Sequence, residues 1–396
     1  MYIPRLLSST FAKARQMFPA VLVTGPRQAG KTTLLLHEMG EKADYVSFDD
    51  PLERSFAISD PNGFLDRFQK RPVILDEVQY VPDLFPYLKV RIDRQRSVSG
   101  KWLLTGSQHF GLMKNVSESL AGRIAILDLL PFSFAERRKR STDTLETIVW
   151  KGGYPEPSLF PEKRELWMRS YIQTYIERDV RQVLNVKDLR AFEMFLQLSA
   201  AHHGQSFNTA TISRDAGITL PTVKAWTTLL EASYLCFLLA PYFRNYGKRL
   251  VKMPKLYFLD SGLVCALTRQ PDGASALSGP LGGALFEGLI VGEALKAFAA
   301  KGRHADVFFW RSHGGLEVDL IVRMGAKLWP VEIKLTATPT SKHTEPLSAF
   351  RELAGADAAG AGLLVCQVKK EMALPGKNIA MPWQQFPAWL AEKLER

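Results

Sequence analysis

Short apolar runs and stretches of helical spacing alternate through the first 135 residues. The runs at 21–24, 45–48, 73–75, 102–105 and 124–127 are rich in β-branched and leucine residues, the pattern of strands buried on both faces. Strands separated by helices build βαβ units, so this part is expected to be α/β, a doubly wound parallel sheet. The pattern changes after Pro131. A basic cluster, Arg137, Arg138, Lys139 and Arg140, precedes the turn-rich stretch Lys151-Gly-Gly-Tyr-Pro-Glu-Pro. A boundary is expected near 135, with a connector over 136–160. From about 162 to 198 the spacing is helical, with Trp167, Tyr171, Tyr175 and Ile176 read as core positions rather than a stacking platform. A Gly-, Pro-, Ser- and Ala-rich stretch at 270–283 reads as a second soft boundary. Beyond it a helix over 286–299 precedes strands at 307–310, 316–323, 328–334 and 363–367. The working division is 1–135, 136–200, 201–262 and 280–396.

Composition bounds the class. Of the 396 residues 46% are hydrophobic and 23% charged, ordinary values that exclude a disordered, collagen-like or coiled-coil chain. The longest mostly apolar stretch, 234–241, is far short of the ~20 residues a membrane-spanning helix needs. No long apolar segment marks the N-terminus, and the expected compartment is cytoplasmic. Cys236, Cys265 and Cys366 form no C-x-x-C pair, so neither a disulfide framework nor a cysteine zinc site is expected. The histidines show no H-x-x-x-H spacing and are read as non-ligands. The net charge is +11, and residues 136–280 hold 20 basic against 14 acidic side chains, more than half of that surplus. A polyanion partner for the middle segment is therefore favoured.

The string Gly25-Pro26-Arg27-Gln28-Ala29-Gly30-Lys31-Thr32-Thr33 fits G-x-x-x-x-G-K-[ST]. Gly25 and Gly30 let the backbone wrap a phosphate with its N–H groups. Lys31 offers a point charge to the β- and γ-phosphates, and Thr32 a hydroxyl to Mg²⁺. The following helix adds its positive dipole end. This loop predicts ATP as ligand. A second signal is Pro72-Val-Ile-Leu-Asp76-Glu77, an apolar strand ending in two carboxylates. Asp76 is expected in the Mg²⁺ shell and Glu77 as general base toward the attacking water. A third is Trp102-Leu-Leu-Thr-Gly-Ser107-Gln108, where Thr105 or Ser107 can hydrogen-bond the γ-phosphate or the water. Arg123, in Ser-Leu-Ala-Gly-Arg, is expected either to reach the transition-state phosphate, in cis or from a neighbouring subunit, or to form a surface salt bridge.

These strings together, with Leu-Leu-Pro-Phe-Ser-Phe behind them, resemble the AAA-type ATPase domain of a large prokaryotic family whose C-terminal domain has no settled function. Gly152-Gly-Tyr-Pro-Glu156, Glu177-Arg-Asp179, Pro254-Lys-Leu-Tyr-Phe-Leu-Asp260-Ser-Gly262 and 288–293 extend the resemblance over the whole chain. The resemblance implies ATP binding and hydrolysis, a winged-helix segment and a restriction-endonuclease-like α/β fold behind it. It also implies work in rings or transient oligomers, with no fixed stoichiometry.

Residues 209–230 read independently as a helix-turn-helix, with Gly217 in the turn and Thr219 as N-cap of the second helix. Ile212, Ala216, Ile218, Val223, Trp226 and Leu230 would form its core. Runs at 234–240 and 256–259 make a hairpin whose basic tip, 244–249, is a wing. Thr222, Lys224 and Lys248 would then meet DNA; the competing reading is a structural adaptor.

The C-terminal part carries Leu316-Glu317-Val-Asp319 and Pro330-Val-Glu332-Ile-Lys334 on two strands of a hairpin. Glu332 and Lys334 are two apart and share a face; Asp319 can join them from the paired strand, and Glu287 from the preceding helix. The set resembles a PD-(D/E)XK nuclease. There Asp319, Glu332 and Glu287 would hold Mg²⁺, and Glu332 and Lys334 would position the attacking water. The alternatives are a salt-bridged hairpin or a nuclease fold that no longer cleaves. Three functions compete: an ATP-gated nuclease, a nucleotide-dependent switch or scaffold, and a sequence-specific regulator with an accessory ATPase.

Overall fold

The computed structural model describes residues 2–107, 116, 118–138, 143–176, 188–243 and 253–395. The chain divides into two compact units. One comprises residues 1–132 with 232–234 and 299–303; the other comprises 133–231, 235–298 and 304–396.

In the first unit β1 (Ala20–Thr24), β2 (Asp44–Ser47), β3 (Val73–Asp76), β4 (Trp102–Thr105) and β5 (Ile124–Asp128) form one sheet. Its order is β2-β3-β4-β1-β5, and every neighbouring pair is parallel. Parallel neighbours cannot be joined by a tight turn, so helices fill the crossovers. Lys31–Met39 follows β1, Pro51–Ser59 and Pro61–Asp66 follow β2, and Leu84–Arg94 follows β3. Asp50 and Asp60 start the two helices after β2, accepting from the N–H of Leu52 at 2.8 Å and of Gly63 at 2.9 Å.

Strand side chains alternate between two cores. Leu22, Leu75 and Leu104 pack with Phe64, Phe85 and Leu88. Val21, Val23, Ile74 and Leu103 pack with Leu34, Leu35 and Phe11, the last from the Ser8–Met17 helix. Because all five strands run the same way, the segments leaving β1, β3 and β4 emerge at one edge, where ligands of open α/β sheets bind.

The second unit contains two sheets. β6 (Gln205–Ser206), β7 (Cys236–Leu239) and β8 (Lys255–Phe258) form an antiparallel sheet in the order β6-β8-β7. Between β6 and β7 lie the helices Thr209–Ala216 and Leu220–Ala232. Asn208 caps the first, accepting from the N–H of Ala210 at 2.9 Å, and Gly217 ends it at φ +66°. Ile212, Val223, Trp226 and Leu230 are buried, and Phe192 and Phe195 meet Trp226 edge-on. Ala216 and Ile218, expected in that core, are only half-buried. The hairpin tip at 244–249, with Lys248, lies outside the described residues.

The stretch expected to be helical over 162–198 runs as Arg164–Tyr171, a π-helical turn over Ile172–Ile176, and a further helix over Leu189–Ala201. Glu177 and Asp179 lie outside the described residues. Trp167 stacks on Tyr171, and Tyr154 packs against both, as core positions do. Residues 270–283, expected as a soft boundary, hold the short helix Gly273–Ser278. It packs against Leu145–Lys151 so closely that a Cβ on Gly273 would lie 2.2 Å from the Glu146 carbonyl oxygen.

The other sheet is six-stranded and mixed: β9 (Val307–Arg311), β10 (Glu317–Met324), β11 (Lys327–Ile333), β12 (Gly362–Cys366), β13 (Met372–Leu374) and β14 (Asn378–Pro382), in the order β13-β14-β12-β11-β10-β9. β9, β10 and β11 are antiparallel; β11, β12 and β14 are parallel. The helix Gly282–Ala300 is buried along most of its length, which suits its nearly continuous apolar sequence. Among the described residues no helix is long and apolar enough to cross a membrane.

Candidate functional site

At the carboxyl edge of the first sheet the chain leaves β1 through 25–30. Gly25 has φ +137°, and a Cβ there would lie 2.2 Å from the Leu129 carbonyl oxygen. The segment after β5 therefore passes too close for any side chain. Gly30, at φ +92°, precedes the Lys31–Met39 helix in the left-handed region. Between them Pro26 and Ala29 are buried, Arg27 is half-buried and Gln28 is exposed. Buried Arg5 braces this loop from outside, donating to the carbonyl oxygens of Ala29 at 2.8 Å and Leu130 at 2.5 Å.

Lys31 is buried, and its Nζ donates to the carbonyl oxygens of Gly25 and Pro26 at 3.1 and 3.0 Å. Burial pulls its pKa down to about 8, against the opposing pull of Glu77. A buried ammonium hydrogen-bonded to carbonyl oxygens at a helix N-terminus is poised for an anion. Thr32 points its hydroxyl at Asp76, with Oγ1 to Oδ1 at 2.8 Å, while Thr33 is exposed.

Asp76 gathers three hydroxyls. Besides Thr32, Thr105 donates to the same Oδ1, and Tyr45 donates to Oδ2 at 3.1 Å. Burial and the Asp76 charge push the Tyr45 phenol up to about 12. Glu77 sits at φ +57°, a conformation that costs a non-glycine residue ~1–3 kcal/mol and concentrates at functional sites. Its N–H donates to Thr105 Oγ1 at 3.3 Å, and its carboxylate accepts from Gln79. The Ser107 hydroxyl, just beyond β4, is buried with no hydrogen-bond partner among the described residues. The donor set fits a magnesium–nucleotide complex: a hydroxyl and a carboxylate in contact, a buried ammonium, and an orphaned hydroxyl at one sheet edge.

Arg123 is elsewhere. It forms a bidentate pair with Asp93, at 2.6 and 3.0 Å. It stands just before β5, and Ala20 pairs with Ile124, so a strand length of about 13 Å separates it from the edge where the loop lies. The expectation that Arg123 reaches the phosphate site within its own chain is corrected on this ground.

The second unit assembles the C-terminal residues into a different centre. Leu320 pairs with Val331, which sets Asp319 and Glu332 at adjoining positions of β10 and β11. The pairing of β9 with β10 shifts register between Val318 and Ile321, a bulge that re-aims Asp319. Lys334 Nζ lies 3.0 Å from Asp319 Oδ2 and 2.6 Å from Glu332 Oε1. The Ile333 N–H donates to Asp319 Oδ2 at 2.9 Å.

From β8, buried Lys255 reaches into the same acids: Glu317 at 2.5 Å, Glu287 at 2.9 Å and Asp319 at 3.9 Å. Tyr257 also donates to Glu287. Burial pushes Glu332 up to about 8 and Glu287 up to about 7, with the Asp319 charge adding to both. Burial opposes the charge on Lys255, but Glu287, Asp319 and Glu317 outweigh it and hold the ammonium above its usual range.

The expected metal set is not formed here. Among the described residues no three carboxylate, histidine or cysteine side chains stand close enough to hold a metal ion. Two lysines share Glu287, Glu317, Asp319 and Glu332, so each of these acids lies against an ammonium group. The sequence reading brought out Asp319, Glu332, Lys334 and Glu287 but missed Lys255, Tyr257 and the part played by Glu317.

A family model described as an AAA domain matches residues 17–137. Residues 142–273 and 282–386 match two models described as domains of unknown function, DUF8612 and DUF4143. An uncharacterized protein of Mycobacterium tuberculosis is 33% identical over 334 residues, spanning 83% of this chain and 73% of that relative. The chain belongs to this family of AAA-domain proteins. An uncharacterized protein of Methanocaldococcus jannaschii is 23% identical over 271 residues, 60% of each chain. Among solved structures, a Walker-type ATPase of Pyrococcus abyssi matches with a TM-score of 0.47 at 16% identity, covering 67% of this chain and 96% of that one. The RuvB Holliday junction branch migration motor of Thermotoga maritima gives 0.30 at 17% identity, over 58% and 88%.

The AAA domain coincides with the parallel sheet and its phosphate-type loop, and both support ATP binding. The mixed sheet falls in the AAA-domain family's C-terminal part, which has no assigned function. Arg5, Tyr45 and Gln79 complete the first site. Gln79 stands two residues after Glu77, in the Leu-Asp-Glu-Val-Gln string. Arg5 and Tyr45 carried no motif; they lie in separate segments that only the folded sheet edge brings to the loop and Asp76.

Proposed function

We propose that this chain is a magnesium-dependent ATPase whose nucleotide state controls a DNA-associated, nuclease-like C-terminal domain. The contact between Thr32 and Asp76, 2.8 Å apart beside the buried Lys31 ammonium, carries this reading. On ATP binding the backbone N–H groups of 25–31 take the phosphate oxygens, and Lys31 exchanges its two carbonyl partners for phosphate. Thr32 and Asp76 would hold the magnesium ion, which supplies positive charge against the phosphate oxygens. Glu77 orients the attacking water and accepts its proton. The buried Ser107 hydroxyl donates to the γ-phosphate or to that water. An arginine supplied by a neighbouring copy is the route left to Arg123, which makes a homo-oligomer part of the proposal.

In this reading residues 201–262 form a winged-helix module and 280–396 a PD-(D/E)XK-like domain. Asp319 and Glu332 on adjoining strands, with Lys334 between them, support the second assignment. The three free cysteines suit a reducing, cytoplasmic compartment. A second reading rests on Lys255. Its ammonium sits among Glu287, Glu317 and Asp319, which favours a domain that binds DNA or protein without cutting.

Two assays test the proposal. Wild type should hydrolyse ATP, and Glu77→Gln should not. Mg²⁺- or Mn²⁺-dependent nicking that is lost in Lys334→Ala supports the nuclease; no cleavage of DNA or RNA in either metal supports the switch. Absence of ATP turnover in wild type, with and without DNA, refutes the ATPase.

A further inference from the structure

The second unit holds a cavity of about 610 Å³ between the Arg164–Tyr171, Leu189–Ala201 and Ser261–Leu267 helices, a volume that suits a small organic ligand. We infer that this cavity binds a small amphipathic monoanion, a carboxylate carrying an apolar body, at a site separate from both centres described above.

The anion end is set by Arg164. It is 4% exposed, donates from Nε to the Trp150 carbonyl oxygen at 2.6 Å and from Nη2 to the Gly262 carbonyl oxygen at 3.3 Å, and among the described residues pairs with no carboxylate. A buried guanidinium with no direct ion pair is costly, and burial works against its charge more than the nearby Asp260 and Glu165 carboxylates favour it. A bidentate carboxylate is the anion whose geometry its fork matches. Its guanidinium carbon lies over the Trp150 ring, 3.9 Å from the centroid, and the Trp150 indole N–H is buried with no acceptor among the described residues. One wall of the cavity thus offers the unsatisfied Trp150 indole N–H beside a guanidinium bonded only to neutral carbonyl oxygens.

Arg169 and Arg269 line the cavity and form no ion pair among the described residues; Glu165 and Glu193 line it as well, so the described lining carries a net +1. That surplus suits one negative charge rather than the two of a phosphate monoester. Met168, Leu196 and Leu267 supply the apolar wall. The backbone around the cavity departs from regular geometry at two places. Ile172 and Gln173 lie in the π-helical turn, and Arg269 holds φ +55°. Both kinds of irregularity recur at binding sites.

The test uses the full chain and the fluorescent anion 8-anilinonaphthalene-1-sulfonate, with octanoate, octan-1-ol and MgATP as competitors. Saturable probe binding is expected, displaced by octanoate at ~10-fold lower concentration than by octan-1-ol and not by MgATP. Arg164→Gln and Arg169→Glu should each weaken binding by ~10-fold or more with unchanged circular dichroism. No saturable binding, equal displacement by the alcohol, or displacement by MgATP overturns the inference. If Arg164→Gln fails to fold, Arg169→Glu decides alone, because its side chain is exposed; unchanged affinity in that variant also overturns it.

Discussion

Thr32 and Asp76 stand 44 positions apart in the chain, yet their side chains meet at 2.8 Å. The contact joins the start of the first crossover helix to the end of β3, so the phosphate-type loop and the acidic strand end form one site. Thr32→Val keeps the shape and removes the hydroxyl. Magnesium-dependent nucleotide affinity should fall by ~10-fold or more, while urea unfolding shifts by only about 1 kcal/mol. Titration calorimetry with and without Mg²⁺ checks this. Wild-type affinity in the variant would remove Thr32 from the magnesium site.

Glu77 occupies its left-handed backbone position next to Asp76, with its carboxylate engaged by Gln79. Glu77→Gln should leave nucleotide affinity within about twofold and lower turnover by ~10²-fold or more. Gln79→Ala should lower turnover less, since it only orients the carboxylate. Equal turnover in wild type and Glu77→Gln would exclude Glu77 as the base.

His203 is a buried histidine outside both sites. The Phe258 N–H donates to its Nδ1 at 3.0 Å, which fixes the neutral tautomer, and burial pulls its pKa down to about 4. The unfolded chain takes up a proton near pH 6.5, whereas the folded chain resists until about pH 4. His203 on its own should therefore cost ~1–2 kcal/mol of stability between pH 7 and pH 5, against the opposite contribution of Glu287 and Glu332, whose raised values favour the folded state as pH falls. His203→Gln should remove that cost, so the pH slope of its urea titrations should differ from wild type by that amount. An equal slope in both proteins contradicts the assignment.

Gly288 lies against that ring. A Cβ at Gly288 would fall 2.0 Å from His203 Nε2, whereas one at Gly283, in the same helix, would meet nothing within 4 Å. Gly288→Ala is expected to cost ~1–3 kcal/mol by forcing the ring aside. Gly283→Ala should be neutral or slightly stabilising. Thermal unfolding of the two variants compares them directly.

The parallel sheet was legible because β1, β3 and β4 are apolar on both faces and end in chemically marked residues: Gly25, Asp76 and Glu77, Thr105 and Ser107. The C-terminal hairpin was legible for the same reason at Asp319 and Glu332. β13 and β14 were not. Met372–Leu374 is too short for a periodic signal, and Asn378–Pro382 ends in a proline that reads as a breaker. The Arg123 placement was legible in part: a residue just before the expected parallel strand at 124–127 falls at the edge opposite the loop after β1, and only the Asp93 pairing needed the fold. Lys255 was hidden by its own composition. A lysine in a short strand reads as solvated, and only the packing of β8 against the acids of β10 and the Gly282–Ala300 helix shows it buried.

The central claim is that the turn after β1 grasps a nucleoside triphosphate. Titration calorimetry of ATP into the full chain with magnesium, beside Lys31→Ala, tests it most directly. Saturable heat in wild type that vanishes in Lys31→Ala is the predicted result. No heat from ATP or ADP in wild type, or equal binding by both proteins, would contradict it.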